Sequence, residues 1–166
     1  MTSTVTYLKQ ADIFYQLTST QLELVASICR EMAYSAGQII FEENSSSKEL
    51  YVIAHGEVDI LVNPSMIAGR TPTRVPEKVV ITTLKRGQSF GEVALVDEGL
   101  RSATTRAAVK DTHLLVIPRD KLIMLCETYP QLGYRLMYNL AADLAMKMRN
   151  TDMKIREKAD NRPQSS

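Results

Sequence analysis

The chain has 166 residues, 45 % apolar and 23 % charged, and its 20 Lys and Arg against 19 Asp and Glu leave a net charge of +1. That length allows one compact unit with at most a helical extension, and the even charge lacks the broad positive field of a domain that coats nucleic acid. No apolar run approaches the ~20 residues of a membrane span, residues 1–10 show no secretory leader, and the only cysteines are Cys29 and Cys126. A cytoplasmic protein without disulfides or membrane contact is expected.

Residues 11–35 read as helix, because Ile13, Leu17, Leu22, Val25, Ile28, Cys29 and Met32 recur at three- and four-residue spacing. Ser19 is the expected N-cap of the second piece, with Glu23 in its first turn, and Gly37 closes the zone. From Gln38 to Ile117 the period becomes two, predicting strands at Gln38–Phe41, Glu49–Ala54, Glu57–Val62, Val79–Leu84, Arg101–Val109 and Thr112–Ile117. Within Glu57–Val62, Val58, Ile60 and Val62 share a face opposite Glu57 and Asp59. His55-Gly56 reads as a hairpin turn with Gly56 at positive φ, and Asn44 as the left-handed position of the turn Asn44-Ser45-Ser46-Ser47.

Strands this short and closely spaced must close on themselves or stack as two sheets, since open edges invite mispairing. The expected fold is mainly β with flanking helices (α+β): an antiparallel double-stranded β-helix or jelly-roll β-roll with N-terminal helices and a long C-terminal helix. Residues 1–155 form its domain, dimerisation helix included, and 156–166 a polar tail. Asn63 to Lys78, sixteen residues with Pro64, Pro72 and Pro76, is long for a connection. It reads as a hairpin tip, with a partner-binding or ligand-covering loop as the alternative.

From Arg119 the pattern is helical again, with a fresh start at Tyr129-Pro130. Met137, Ala141, Leu144, Met148, Thr151 and Ile155 then form a heptad seam, while Leu132, Leu136 and Leu140 make a second row that can face the roll. The seam predicts a homodimer through residues 137–155; the alternative is a helix docked wholly on its own domain.

The chemistry is narrowed by what is missing. The only histidines are His55 and His113, in no His-x-His pair, so no metal site of the β-barrel oxygenase kind is expected. The two cysteines lie on apolar helical faces, where an inert thiol is the rule, and no Gly-x-Ser-x-Gly is present. No catalytic residue and no cofactor are expected; the chain is not read as an enzyme.

One cluster stands out, Gly87-Gln-Ser-Phe-Gly91-Glu92 through Arg101-Ser102-Ala103-Thr104 to Ala108. It predicts a strand end, a glycine turn, one short helix and a strand opening with Arg-Ser. The helix start, Gly91 to Ala94, offers N–H groups without intrahelical partners and the positive end of a dipole. Gly91 lets a ligand approach the backbone, Arg101 aims a planar fork at the same place, and Ser102 and Ala103 add a hydroxyl and further N–H groups. Such a set suits phosphate. Glu92 beside it suits a hydroxyl donor attached to that phosphate, as in a sugar phosphate. The competing reading is that Glu92 and Arg101 are a structural ion pair.

The run Phe90-Gly91-Glu92-Val-Ala-Leu, with Arg101-Ser102-Ala103-Thr104 and Arg106-Ala107, resembles the phosphate-binding cassette of cyclic-nucleotide-binding domains. These occur in bacterial catabolite activator proteins, protein kinase A regulatory subunits and cyclic-nucleotide-gated channels. Gly37-Gln-Ile-Ile-Phe, Leu50-Tyr51-Val52-Ile53 before Gly56, and Gly87 extend the resemblance over about residues 10 to 155.

The resemblance implies a β-roll that binds a 3′,5′-cyclic nucleotide. Arg101 pairs with the cyclic phosphate, supported by Ser102 and the backbone at Val93, Ala94 and Ala103, and Glu92 with Gly91 takes the ribose 2′-hydroxyl. Asn44 stands where many members carry Gly. Base recognition in the family draws on hydroxyl side chains of the last helix, where this chain offers Tyr138, Asn139, Asp143 and Lys147. A hydroxyl directly after the cassette arginine, as Ser102 is, occurs in cAMP binders and resembles the Thr that favours cGMP in others; cAMP is the expected ligand, with cGMP as the alternative. Catabolite activators continue into a helix-turn-helix domain, whereas about eleven residues follow Ile155 here. The basic residues Lys154, Arg156, Lys158 and Arg162 alternate with Asp152, Glu157 and Asp160, so DNA binding by this chain alone is not expected. The expected role is a sensor module that regulates an unknown effector protein. The alternatives are a structural or interaction module that keeps the roll without binding nucleotide, and the N-terminal fragment of a transcription regulator.

Overall fold

The computed structural model describes residues 3–64 and 77–161. Most of the long connection after Asn63 and the last five residues of the polar tail therefore lie outside the described residues. In chain order the elements are α1 (Ser3–Gln10), a 3₁₀ turn (Asp12–Phe14), α2 (Ser19–Ile28), β1 (Arg30–Tyr34), β2 (Ile39–Phe41), β3 (Glu49–His55), β4 (Glu57–Val62), β5 (Val79–Lys85), β6 (Ser89–Phe90), α3 (Val93–Val96), β7 (Thr104–Ala107), β8 (Thr112–Pro118), α4 (Arg119–Thr128) and α5 (Pro130–Asp160).

The strands form two four-stranded antiparallel sheets, in the orders β1-β8-β3-β6 and β2-β7-β4-β5. This is the expected β-roll with helices at both ends of the chain. The inner strands β3 and β8 of the first sheet are buried on both faces, which explains the unbroken apolar run of β8. Leu114 and Val116 point into the roll with Tyr51, Ile53, Val58, Phe90 and Ala107. Leu115 and Ile117 point outward, with Leu50, Val52 and Ala54 of β3, onto a layer built from α1, α2, the 3₁₀ turn, α4 and α5. Leu132, Leu136 and Leu140 of α5, exposed at 0, 0 and 2 %, join that layer as the second apolar row predicts. Asn139 between them is buried and donates from Nδ2 to the carbonyls of Ile13 (3.0 Å) and Tyr15 (2.7 Å), fastening the 3₁₀ turn to α5.

Several local expectations are corrected. The helical reading of residues 11–35 fails after Ile28. Cys29 is extended, and Arg30–Tyr34 pairs in register with β8, from Arg30 opposite Val116 to Tyr34 opposite Thr112. Ladder bonds to a central strand outweigh the helical spacing of Cys29 and Met32, and Gly37 lies in the turn between β1 and β2 rather than at a helix end. The cap of α2 is Thr18, not Ser19: its hydroxyl accepts from the Gln21 N–H (3.2 Å) and Gln21 Oε1 accepts from the Thr18 N–H (2.9 Å), a strict capping box. In β4 the alternation breaks at a register shift against β5, where Ile81 is the extra residue; Leu61 is buried and Ile60 and Val62 only half-buried. The strand expected from Arg101 begins at Thr104, because the backbone of Arg101 bonds instead to the turn at Asn44 and Ser45. At the far end α5 stays helical to Asp160, past the expected boundary at residue 155, and residues 148–161 are exposed throughout.

Gly56 adopts positive φ as expected (87°), but it makes no hairpin. β3 and β4 belong to different sheets, so Gly56 carries the chain across the corner of the roll. A Cβ there would stand 2.5 Å from Thr112 Oγ1 and 2.8 Å from its Cα. Gly56→Ala is expected to cost about 2–4 kcal/mol, from combined backbone strain and overpacking, read as a lower urea midpoint; an unchanged midpoint would contradict this account of the corner.

Candidate functional site

Phe90 closes β6 on the roll interior, stacked on Tyr51 at 4.9 Å and 5° between ring planes. The chain then turns sharply at Gly91 (φ 75°) and enters α3, a single turn whose Ala94 and Leu95 are buried while Val93 and Val96 face solvent. The Ala94 N–H, expected to be without a partner, donates to the Gly91 carbonyl at 3.2 Å, because a four-residue helix after a left-handed glycine folds that carbonyl back on itself. After α3 the chain returns to Arg101, whose backbone is fixed from both sides: its N–H donates to the Ser45 carbonyl (2.9 Å) and its carbonyl accepts from the Asn44 N–H (2.7 Å). Asn44 reaches this geometry with a φ of 65°, the left-handed position foreseen for it.

The Arg101 side chain is buried, 6 % exposed, and lies 4.1 Å above the Phe41 ring. Its Nε donates to Ser47 Oγ (3.0 Å), one Nη to the Gly91 carbonyl (3.1 Å) and the other to the Glu49 carbonyl (2.7 Å). A Cβ at Gly91 would approach Arg101 Nη1 and the Glu49 carbonyl to 2.9 Å each, so only glycine admits the guanidinium here. Burial pushes the Arg101 pKa down, against the charges of Tyr51, Glu49 and Glu92, which push it up. The group stays cationic. Of its five N–H donors, three are spent on neutral oxygens, which leaves one N–H on each terminal nitrogen.

Glu92 is 7 % exposed and is not the ion-pair partner of Arg101. Its Oε1 accepts from Lys147 Nζ of α5 at 2.9 Å, and its Oε2 is buried without a partner. Lys147 also donates to the Ser89 carbonyl (3.3 Å) and pairs with Asp143 Oδ2 (2.9 Å). Burial alone would lower the Lys147 pKa; Glu92 and Asp143 outweigh it and hold the group above its ordinary value. The cassette thus holds a buried cation with no carboxylate bonded to it, and a buried carboxylate with one oxygen unpartnered.

Among the residues expected here, Gly91, Glu92 and Arg101 converge, Val93 and Ala94 form the adjoining turn, and Ser102 is exposed with Ala103 half-buried behind it. Ser47, Phe41 and the Glu49 carbonyl lay outside the cassette motif, and no spacing rule links them to Arg101; they are brought in by β2 and β3. Of the four residues offered by the last helix, Lys147 reaches the cassette with Asp143 paired to it, Asn139 is spent on the N-terminal segment, and Tyr138 is 57 % exposed beside Tyr134. Among the described residues no group of three or more His, Cys, Asp or Glu is placed to hold a metal ion, and no helix is long and apolar enough to cross a membrane.

The family model for the cyclic nucleotide-binding domain matches residues 31–129, from β1 to the end of α4 and more than half of the chain. The chain belongs to the cyclic nucleotide-binding domain family. The domain is 31 % identical over 148 residues to the cyclic AMP receptor protein of Thermus thermophilus, covering 89 % of this chain and 62 % of that protein. It is 27 % identical over 145 residues to cGMP-dependent protein kinase, isozyme 1, of Drosophila melanogaster, covering 87 % of this chain and 18 % of the kinase. The crystal structure of Thermus thermophilus catabolite activator protein superposes with a TM-score of 0.71 at 29 % identity, over 90 % of this chain and 63 % of that one. The domain therefore spans under two thirds of the length of these relatives.

Burial holds both thiols of the domain toward their protonated form. Burial, with Glu31 adding, pushes Cys29 up to about 12, and its Sγ–H donates to the Val25 carbonyl at 3.2 Å; burial, with Glu127 adding, raises Cys126 too. An unfolded thiol titrates near about 8.5, so the Cys29 contribution to stability is whole below about pH 8.5 and is lost as pH rises toward about 12. Ellman's reagent at pH 8 is expected to label the folded domain at least roughly tenfold more slowly than the urea-unfolded chain, since the thiolate is the reacting species; equal rates would refute the burial argument.

Proposed function

We propose that the chain binds a 3′,5′-cyclic nucleotide, cAMP in preference to cGMP, and acts as a cytoplasmic sensor that reports occupancy to an effector protein rather than as an enzyme. The observation that supports this reading is the separation of the two buried charges: the Arg101 guanidinium has no carboxylate bonded to it, and Glu92 Oε2 is buried without a partner. In this reading the cyclic phosphate takes the two remaining Arg101 donors, with Ser102 and the backbone of Val93, Ala94 and Ala103 around it, while Glu92 with Gly91 takes the 2′-hydroxyl. Glu92 would repel a bare phosphate, and Arg101 would have no counterpart in a neutral sugar; a ribose phosphate satisfies both. Closing the phosphate onto the ribose brings the two groups within one small cassette. The base preference rests on Ser102 and on the similarity to a cyclic AMP receptor protein. Residues 1–155 act as one domain, and no DNA contact is assigned to this chain.

Binding is expected to depend on Arg101. Charge-assisted hydrogen bonds contribute about 1.5–3 kcal/mol each, so Arg101→Ala should weaken cAMP by roughly one to several orders of magnitude while the melting profile stays cooperative. Calorimetric titration with cAMP, cGMP and non-cyclic AMP checks this: cAMP should bind tightest and AMP not at all, and unchanged affinity in Arg101→Ala would remove the assigned role. At 100 times its dissociation constant, cAMP should add about 2.7 kcal/mol of stability.

We also propose a homodimer through residues 137–155. Met137 and Leu144 of the seam lean on the domain's own helical layer, whereas Met148 and Ile155 are 68 and 61 % exposed, with Met146 and Met153 beside them at 62 and 59 %. Light scattering behind a sizing column should give twice the chain mass, and a paired Met148→Glu, Ile155→Glu variant should give the single mass; a monomeric native chain would end this reading.

A further inference from the structure

The two histidines of the chain stand side by side at the corner of the roll, where β3 ends and β8 begins. They meet because β3 carries a bulge. Ile53 lies opposite Leu114, and in step with that register His55 would face Thr112; the extra residue Ala54 shifts the pairing so that His55 lies opposite His113. The ring centroids are 6.1 Å apart in an edge-to-face arrangement, and both residues are exposed. His55 is also oriented from behind. Its Nδ1 lies 3.0 Å from the carbonyl of Asp111, which holds a left-handed backbone at a φ of 56°. A carbonyl only accepts, so Nδ1 carries the proton and Nε2 of the neutral ring keeps its lone pair. A ring N–H given to a backbone carbonyl is the support that metal-ligating histidines almost always have. Nitrogens about 2.0–2.1 Å from one tetrahedral ion place two ring centroids roughly 5 Å apart, so a turn of the exposed His113 ring closes the gap.

We propose that His55 and His113 form a two-imidazole site for a divalent late transition-metal ion, with water in the remaining coordination positions. Imidazole nitrogen suits Cu²⁺, Ni²⁺ and Zn²⁺ rather than Mg²⁺ or Ca²⁺, and the affinity order is Cu²⁺ above Ni²⁺ above Mn²⁺. With two protein ligands instead of the four of a structural zinc centre, the ion exchanges with solution. The site is independent of the cassette: His55 lies six residues along β3 from Glu49, whose carbonyl receives Arg101, or roughly 20 Å at about 3.3 Å per residue. A bound ion would join the end of β3 to the start of β8 and so stabilise the folded corner beside Gly56.

The test uses the full chain without an affinity tag, titrated with CuCl₂, NiCl₂ and MnCl₂ in a weakly coordinating, near-neutral buffer. Because the chain has two histidines, its proton NMR spectrum holds one pair of imidazole ring systems, and substoichiometric Cu²⁺ should broaden both together. Calorimetry should give one tight Cu²⁺ per chain, weaker Ni²⁺ and no measurable Mn²⁺. His55→Ala and His113→Ala should each weaken Cu²⁺ at least about tenfold, since losing even an outer-shell partner of a metal ligand costs about 10- to 100-fold. Broadening of one imidazole without the other would overturn the shared site, as would Mn²⁺ binding as tightly as Cu²⁺, no Cu²⁺ binding by the native chain, or a single variant that keeps the native affinity. The NMR result on the native chain decides the matter even where a variant fails to fold.

Discussion

Burying a guanidinium costs free energy that neutral acceptors only partly return, and the placement of Arg101 governs much of the local architecture around it. Its backbone is pinned by Asn44 and Ser45, its side chain by Ser47, Glu49 and Gly91, and its face by Phe41. These groups come from the end of β2, from the turn between β2 and β3, from the first residue of β3, and from the turn after β6. Because β2 and β7 lie in one sheet and β3 and β6 in the other, the side chain also fastens the two sheets together at the cassette end of the roll. A buried cation bonded only to neutral oxygens is what a fixed anion receptor requires: the cost of desolvation and orientation is met on folding rather than on binding.

The second half of the arrangement is the helix α5. It is attached in two different ways. Its first part is a conventional apolar docking through Leu132, Leu136 and Leu140, with Asn139 as a polar peg into the carbonyls of the 3₁₀ turn. Its second attachment is electrostatic, at Lys147, on the same carboxylate that borders the cassette.

Much of the architecture was legible along the chain. The change of period at Gln38 and again at Arg119, the turn residues Asn44 and Gly56, the start at Tyr129-Pro130 and the row Leu132, Leu136, Leu140 each report a local property: burial on one face, a left-handed backbone, a missing N–H. The cassette motif was equally legible as a set of residue types. The errors fell where local signals are weak or competed with longer-range pairing. Arg30–Tyr34 carries helical spacing yet is recruited by β8, whose inner position supplies a ladder of hydrogen bonds that no neighbouring residue in sequence announces. Gly56 was recognised as a turn but assigned to the wrong partner strand, since a tight turn has the same residue requirements whether the chain doubles back in one sheet or crosses to another.

The sequence by itself therefore determined the roll, its helical ends and which side chains could meet an anion and a hydroxyl, because those follow from periodicity and from the chemistry of single residues. Only the tertiary structure decided who stands next to whom. It freed Arg101 from Glu92, gave Glu92 to Lys147 some 55 positions later, and placed Phe41 beneath the guanidinium. Contacts between residues so far apart depend on how two sheets and a helix pack in space, and no spacing along a chain encodes that packing.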